Sequence, residues 1–177
     1  WRNQNVKIEP TNLSKVLREH PDAEYDIHHP AWKEHESVHW NEPLYGFYRN
    51  DDPYVLRKHA QYFANAGVDA LFFDTTNGSL VWKDAYMALL EEFHKARLDG
   101  IKTPQVAFIM NFGPMPSTLH MLRSLYQDLY KPGLYRDLWF LWEGKPLVLA
   151  YPEAIPQEGK SDFDTALLNE IRSFFTF

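Results

Sequence analysis

Two nearly continuous apolar runs, residues 68–73 (VDALFF) and 105–110 (QVAFIM), constrain the fold of this chain more than any other feature. A strand covered on one face alternates apolar and polar residues. A run without alternation fits a parallel strand covered on both faces, and parallel strands need crossover connections, usually helices. Helical stripes flank both runs. Leu56, Ala60 and Phe63 share a face in a helix that Asp52 caps, Pro53 begins and Gly67 closes. Tyr86, Leu89, Leu90 and Phe93 repeat at helical spacing and end near Gly100. Leu119, Leu122, Leu125 and Leu129 stripe the next helix, which Pro132-Gly133 terminates.

Residues 138–142 and 146–151 flank Gly144-Lys145, a hairpin signal, with Trp139 and Trp142 expected to pack on one shared face. Phe163, Leu167 and Ile171 form a last stripe before the terminal FFTF. Residues 44–48 read as a short aromatic strand. Residues 1–43 are polar and irregular, apart from a short helix in which Asn12 caps Leu13, Val16 and Leu17 before Pro21.

Strands alternating with helices give a parallel α/β fold with right-handed crossovers. No glycine-rich phosphate fingerprint follows any strand, which disfavours a nucleotide-binding open sheet. Polar residues gather just after the strands: Asp74-Thr75-Thr76-Asn77-Gly78, Asn111, and Tyr151-Pro152-Glu153. A (β/α)8 TIM barrel carries its chemistry at those positions. The expectation is therefore one α/β barrel domain over residues 1–177, with βα units in 44–177. A full barrel takes about 250 residues, so the chain would be an incomplete fragment holding roughly the middle five units. The start at Trp1 and the stop in an apolar run agree with that expectation.

A net charge of -6 argues against nucleic acid or an anionic membrane as the main partner. No apolar run reaches the ~18 residues of a membrane span. The absence of cysteine excludes disulfides and thiolate chemistry. The 6 Trp, 10 Tyr and 12 Phe supply rings both for a core and for sugar faces.

The stretch HESVH, residues 35–39, matches the H-E-x-x-H pattern of zinc hydrolases. That chemistry needs a helix to hold both imidazoles on one face. Pro30 and Pro43 confine any such helix to the short stretch between them, and Lys33, Glu34 and Glu36 leave no clear apolar face. His35 and Glu36 read as loop residues, and no metal or other cofactor is expected.

The segment HWNEPLYGFYRNDDPYVLRKHAQYFANAGVDALFFDTTNG, residues 39–78, resembles bacterial (β/α)8 glycoside hydrolases similar to the endo-α-mannosidase (family-99-like) and mutanase-like (family-71-like) group. LWFLWEGKPLVLAY, residues 138–151, looks like that group's hairpin leading into a barrel strand, and KTPQVAFIMNF, residues 102–112, fits the strand between. The resemblance covers a little over half the chain. It implies a secreted, periplasmic or cell-surface enzyme of polysaccharide degradation, with the first barrel strand preceding Trp1.

Glycoside hydrolysis usually needs two carboxyl groups flanking the scissile bond. Asp74 ends an apolar strand, where Phe72 and Phe73 could raise its pKa; the competing reading is a carboxylate capping the next turn through Thr76 or Asn77. Glu153 and Glu42 are the other acid/base candidates, each with a surface-carboxylate alternative. No glutamate pair on one strand matches the family's substrate-assisted chemistry. His39, Trp40, Tyr45, Asn77, Asn111 and Tyr151 read as substrate-binding residues, since imidazole, amide and phenol groups bond directionally to hydroxyls and indole stacks on a pyranose. The function expected is glycoside hydrolysis of a complex glycan by carboxylate acid/base chemistry; the alternative is a carbohydrate-binding protein without catalysis.

Overall fold

In the computed structural model the chain divides into two units, Trp1–Val55 and Leu56–Phe177. The structure describes residues 11–26, 28–32, 38–39, 43–46, 48–78, 80–111, 116–151, 153 and 165–177.

The first unit is held mainly by local hydrogen bonds. Asn12 caps α1 (Leu13–Glu19) by accepting the Lys15 amide at 3.0 Å, as its position before the apolar stripe predicts. Pro21 stops that helix and opens a 3-10 turn, Pro21–Tyr25. The Trp32 indole N–H lies 3.0 Å from both the Ala23 and Asp26 carbonyls, which ties a second turn, Pro30–Trp32, back onto the first. Two short strands, β1 (Thr11–Asn12) and β2 (Val38–His39), pair in parallel. The strand expected at 44–48 does not form. Gly46 adopts φ 67° and its N–H bonds to the Pro43 carbonyl, so the chain turns there instead of extending.

Asp52, near the end of the first unit, accepts the Tyr54 and Val55 amides and starts α2 (Pro53–Asn65), which belongs to the second unit from Leu56 onward. The second unit carries the βα architecture. At the end of α2 Gly67 takes φ 71°, and the Val68 N–H reaches back to the Phe63 carbonyl at 3.0 Å, a Schellman closure. The chain then enters β3 (Ala70–Asp74). α3 (Lys83–Leu98) ends in the same way, with Ile101 N–H on the Ala96 carbonyl, before β4 (Gln105–Ile109). α4 (Pro116–Leu125) runs into a π turn, Tyr126–Tyr130, whose wider winding keeps Tyr126, Leu129 and Tyr130 buried.

β3 and β4 pair in parallel over five positions, Ala70 with Gln105 through Asp74 with Ile109. β4's other neighbour comes in two pieces. Trp139 bridges Val106, and β7 (Val148–Leu149) pairs with Phe108 and Ile109. Between the pieces, β5 (Leu141–Trp142) and β6 (Lys145–Pro146) make the expected hairpin around Glu143 (φ 52°) and Gly144 (φ 79°). Two left-handed residues are what a two-residue type I′ turn requires. α5 (Thr165–Phe174) leads to Thr176, which bridges Leu147.

The barrel expectation is overturned. Among the described residues the central sheet has three parallel strands in the order β3-β4-β7, with a separate two-stranded antiparallel hairpin, and no closed sheet. The misreading has a physical source: polar residues follow the strands in any parallel α/β sheet, open or closed. Coverage differs from expectation too. β4 is buried on both faces, but in β3 Phe72 stays 40% exposed while Leu71 and Phe73 pack on the core. Trp139 and Trp142 do not share a face. Residues three apart in extended chain point oppositely, so Trp139 is buried and Trp142 is 56% exposed.

The core gathers Phe93 and Leu90 of α3, Phe108 of β4, Leu122 and Leu125 of α4, and Ile171 of α5, all essentially inaccessible. Leu122→Ala should cost about 3 kcal/mol, the usual range for a buried leucine. Leu98→Ala, at a side chain 74% exposed, should stay within about 0.5 kcal/mol. Urea unfolding of the two variants checks the contrast.

Candidate functional site at the carboxyl end of the sheet

The last residue of β3 is Asp74, and the residue after it is anchored twice. The Thr75 amide donates to the Ile109 carbonyl at 3.0 Å, and its buried hydroxyl donates to the same oxygen at 2.7 Å while lying 3.3 Å from Met110 Sδ. These bonds extend the β3–β4 ladder by one residue and fix the point where the loop leaves the sheet. Sequence reasoning passed over Thr75 because a threonine after a strand carries no signal of its own.

Asp74 is exposed, and its Oδ1 accepts the Thr76 amide at 2.8 Å. The Thr76 hydroxyl, and after it the Thr76 amide, hold the carboxyl below the usual aspartate range, outweighing a small opposing desolvation. The expected upward shift from Phe72 and Phe73 does not occur. Phe73 packs against Phe108, with ring centroids 5.4 Å apart, and Phe72 against Phe140 at 5.6 Å. Neither shields the carboxylate from water.

Asn111, two residues beyond β4, is buried. Its Nδ2 stands 3.5 Å from both the Gly78 carbonyl and Ser117 Oγ, the outer limit of a hydrogen bond. It bridges the loop after β3 to the first turn of α4, which is a positioning role. Asn77 is exposed on the same loop, and Tyr151 lies two residues beyond β7, half-exposed. Asp74, Asn77, Asn111 and Tyr151 thus follow three adjacent strands at one end of the sheet. At the usual spacing of about 4.8 Å per strand, β3 and β7 are separated by about 10 Å. Glu153, two residues past Tyr151, is exposed.

Tyr45 lies in the first unit, where it meets Tyr54 edge-on with ring centroids 5.9 Å apart. Glu42, Trp40, His35, Glu36 and the side chain of His39 fall outside the described residues.

Trp82 was not anticipated. It is the N-cap residue of α3, on the loop that follows Asp74, with φ 53° and ψ 53° and no side-chain capping bond. A bulky residue in the left-handed region is strained, and its indole is 44% exposed. Backbone handedness leaves no trace in the sequence around it.

Among the described residues one group has metal-ligand spacing, His20, Asp22 and His29 in the first unit. No helix of the described residues is long and apolar enough to cross a membrane. No family model, curated protein or solved structure matches the chain.

A depressed folded-state pKa makes the stabilisation from Asp74 present above the ordinary aspartate range and lost as pH falls through the lowered folded value. Carbon-detected NMR of the Asp74 carboxyl should therefore show titration below that of an unstructured aspartate. Thr76→Val, which removes the hydroxyl, should move the midpoint upward. An unchanged midpoint would remove the Thr76 hydroxyl as the leading cause.

Proposed function

We propose that this chain is a carbohydrate-active hydrolase in which Asp74 serves as the ionised carboxylate. The observation that carries the reading is the placement of Asp74 at the end of β3, exposed and with its carboxylate hydrogen-bonded by Thr76. A carboxylate held charged at neutral pH suits the nucleophile, the base that activates water, or the stabiliser of an oxocarbenium-like transition state; a general acid needs the opposite shift. Glu153, exposed four residues past the end of β7, is the candidate second carboxyl. The exposed indole of Trp82 and phenol of Tyr151 supply faces and a hydroxyl suited to a sugar ring.

A second reading, carbohydrate binding without catalysis, draws on the Thr76 contact itself. An aspartate that caps its own turn already has a structural task.

Digestion of a panel of complex glycans separates the two. Asp74→Asn should lower turnover by at least about a thousandfold, with glycan affinity by calorimetry changed less than about threefold, as expected for an interaction made in the transition state. Glycan binding by the unaltered chain with no new reducing ends over long incubation would leave only the binding reading. Unchanged turnover in Asp74→Asn would exclude Asp74 from the chemistry.

A further inference from the structure

His20, Asp22 and His29 form the one cluster of described side chains with the composition and spacing of a cation site, with one donor atom from each lying within 4.8 Å of the others. Local hydrogen bonds fix the backbone of each. His20 ends α1, its N–H donating to the Val16 carbonyl at 2.7 Å and its own carbonyl accepting the Ala23 amide at 3.0 Å. Asp22 follows Pro21 in the 3-10 turn. His29 is bracketed by its N–H on the Asp26 carbonyl at 3.0 Å and by the Trp32 N–H on its carbonyl at 2.9 Å. The Trp32 indole joins both turns through the Ala23 and Asp26 carbonyls. The ligands are nine residues apart at most, so little chain entropy opposes their convergence.

We propose that these three side chains bind a divalent transition-metal cation, zinc foremost, with the fourth position open to water. Two donors on a tetrahedral zinc, each about 2.0–2.1 Å from the metal, stand about 3.3–3.4 Å from one another. His29 Nε2 and Asp22 Oδ2 are 3.3 Å apart, at that separation before any metal enters. The His20 ring, exposed and with its centroid 5.5 Å from that of His29, has to close by at most roughly 1.5 Å, a side-chain movement. Two imidazoles and one carboxylate select zinc, cobalt, nickel or copper over magnesium and calcium, which require more oxygen donors.

The site has a built-in reporter. His29 Nδ1 accepts the Ala31 amide at 3.2 Å, which places the ring proton of the neutral form on Nε2, facing Asp22. A cation at Nε2 displaces that proton to Nδ1, where it meets the Ala31 N–H as donor against donor. Metal binding therefore switches the tautomer of His29 and breaks the Ala31 bond. This step distinguishes the cluster from the H-E-x-x-H residues His35 and His39, and it is independent of the carbohydrate reading.

The test is calorimetric titration of the chelator-treated full chain with zinc chloride. One equivalent should bind, and His20→Gln, Asp22→Asn and His29→Gln should each weaken binding at least about tenfold, since even outer-shell changes at metal sites reach that size. His35→Gln should leave it unchanged. Cobalt(II) should give the visible spectrum of tetrahedral coordination. In the unaltered chain, zinc should shift the Ala31 amide and convert His29 to the Nδ1-protonated tautomer in nitrogen-15 NMR spectra, a readout that needs no variant to fold. No binding, loss of binding in His35→Gln, or an Ala31 amide and His29 ring unmoved at saturating zinc would each overturn the proposal.

Discussion

The parallel pairing of β3 with β4 is the constraint on which the rest of the second unit depends. β4 is buried on both faces, so its backbone groups have to be satisfied by neighbouring strands rather than water. β3 supplies one side over five residues, and the divided strand built from Trp139 and β7 supplies the other. α3 connects β3 to β4, and its side chains Tyr86, Leu90 and Phe93 join the core with Phe108. The hairpin β5–β6 is an excursion tolerated within that divided strand, because the Leu147 N–H closes its base on the Phe140 carbonyl.

The same pairing places the candidate site. In a parallel sheet all strands end on one side, so residues far apart in sequence become neighbours beyond that edge. The register sets Asp74 level with Ile109 and Leu149, and Asn111 and Tyr151 each follow two residues later. Thr75 makes the exit from β3 rigid, and the strained backbone of Trp82 marks where the loop turns into α3. The lowering of the Asp74 carboxyl below the usual aspartate range follows from this geometry: once the loop bends at Thr76, its hydroxyl and amide meet the carboxylate.

The first unit is organised differently. Its turns are closed by hydrogen bonds over two to nine residues, with Ala23 buried beneath the Trp32 clamp. Polar side chains held in this way need no large core to converge, which is how two histidines and an aspartate come within ligand distance on a mostly exposed surface. Among the described residues the cluster with ligand spacing is His20, Asp22 and His29, while His35 and the side chain of His39 in HESVH lie outside them.

The sequence by itself determined the local elements. Asn12 and Asp52 as caps, the closure at Gly67 and at Gly100 and the stripes of α3 and α4 are decided by interactions within a few residues, and each forms where the pattern placed it, while the expected hairpin turns at Glu143-Gly144, one residue before the Gly144-Lys145 signal. Even there local rules had to be applied with the right period, as the opposite fates of Trp139 and Trp142 demonstrate. Only the tertiary structure decided that the sheet is open rather than closed into a barrel, and that Phe72 remains partly exposed. It also decided that Asp74 is held low by Thr76 rather than raised by aromatic rings, and that His20 meets His29. Those outcomes depend on which strands pair at the edges and on the directions of particular side chains. A hydrophobic pattern records that a residue is to be covered, but neither the partner that covers it nor the donor that turns toward it.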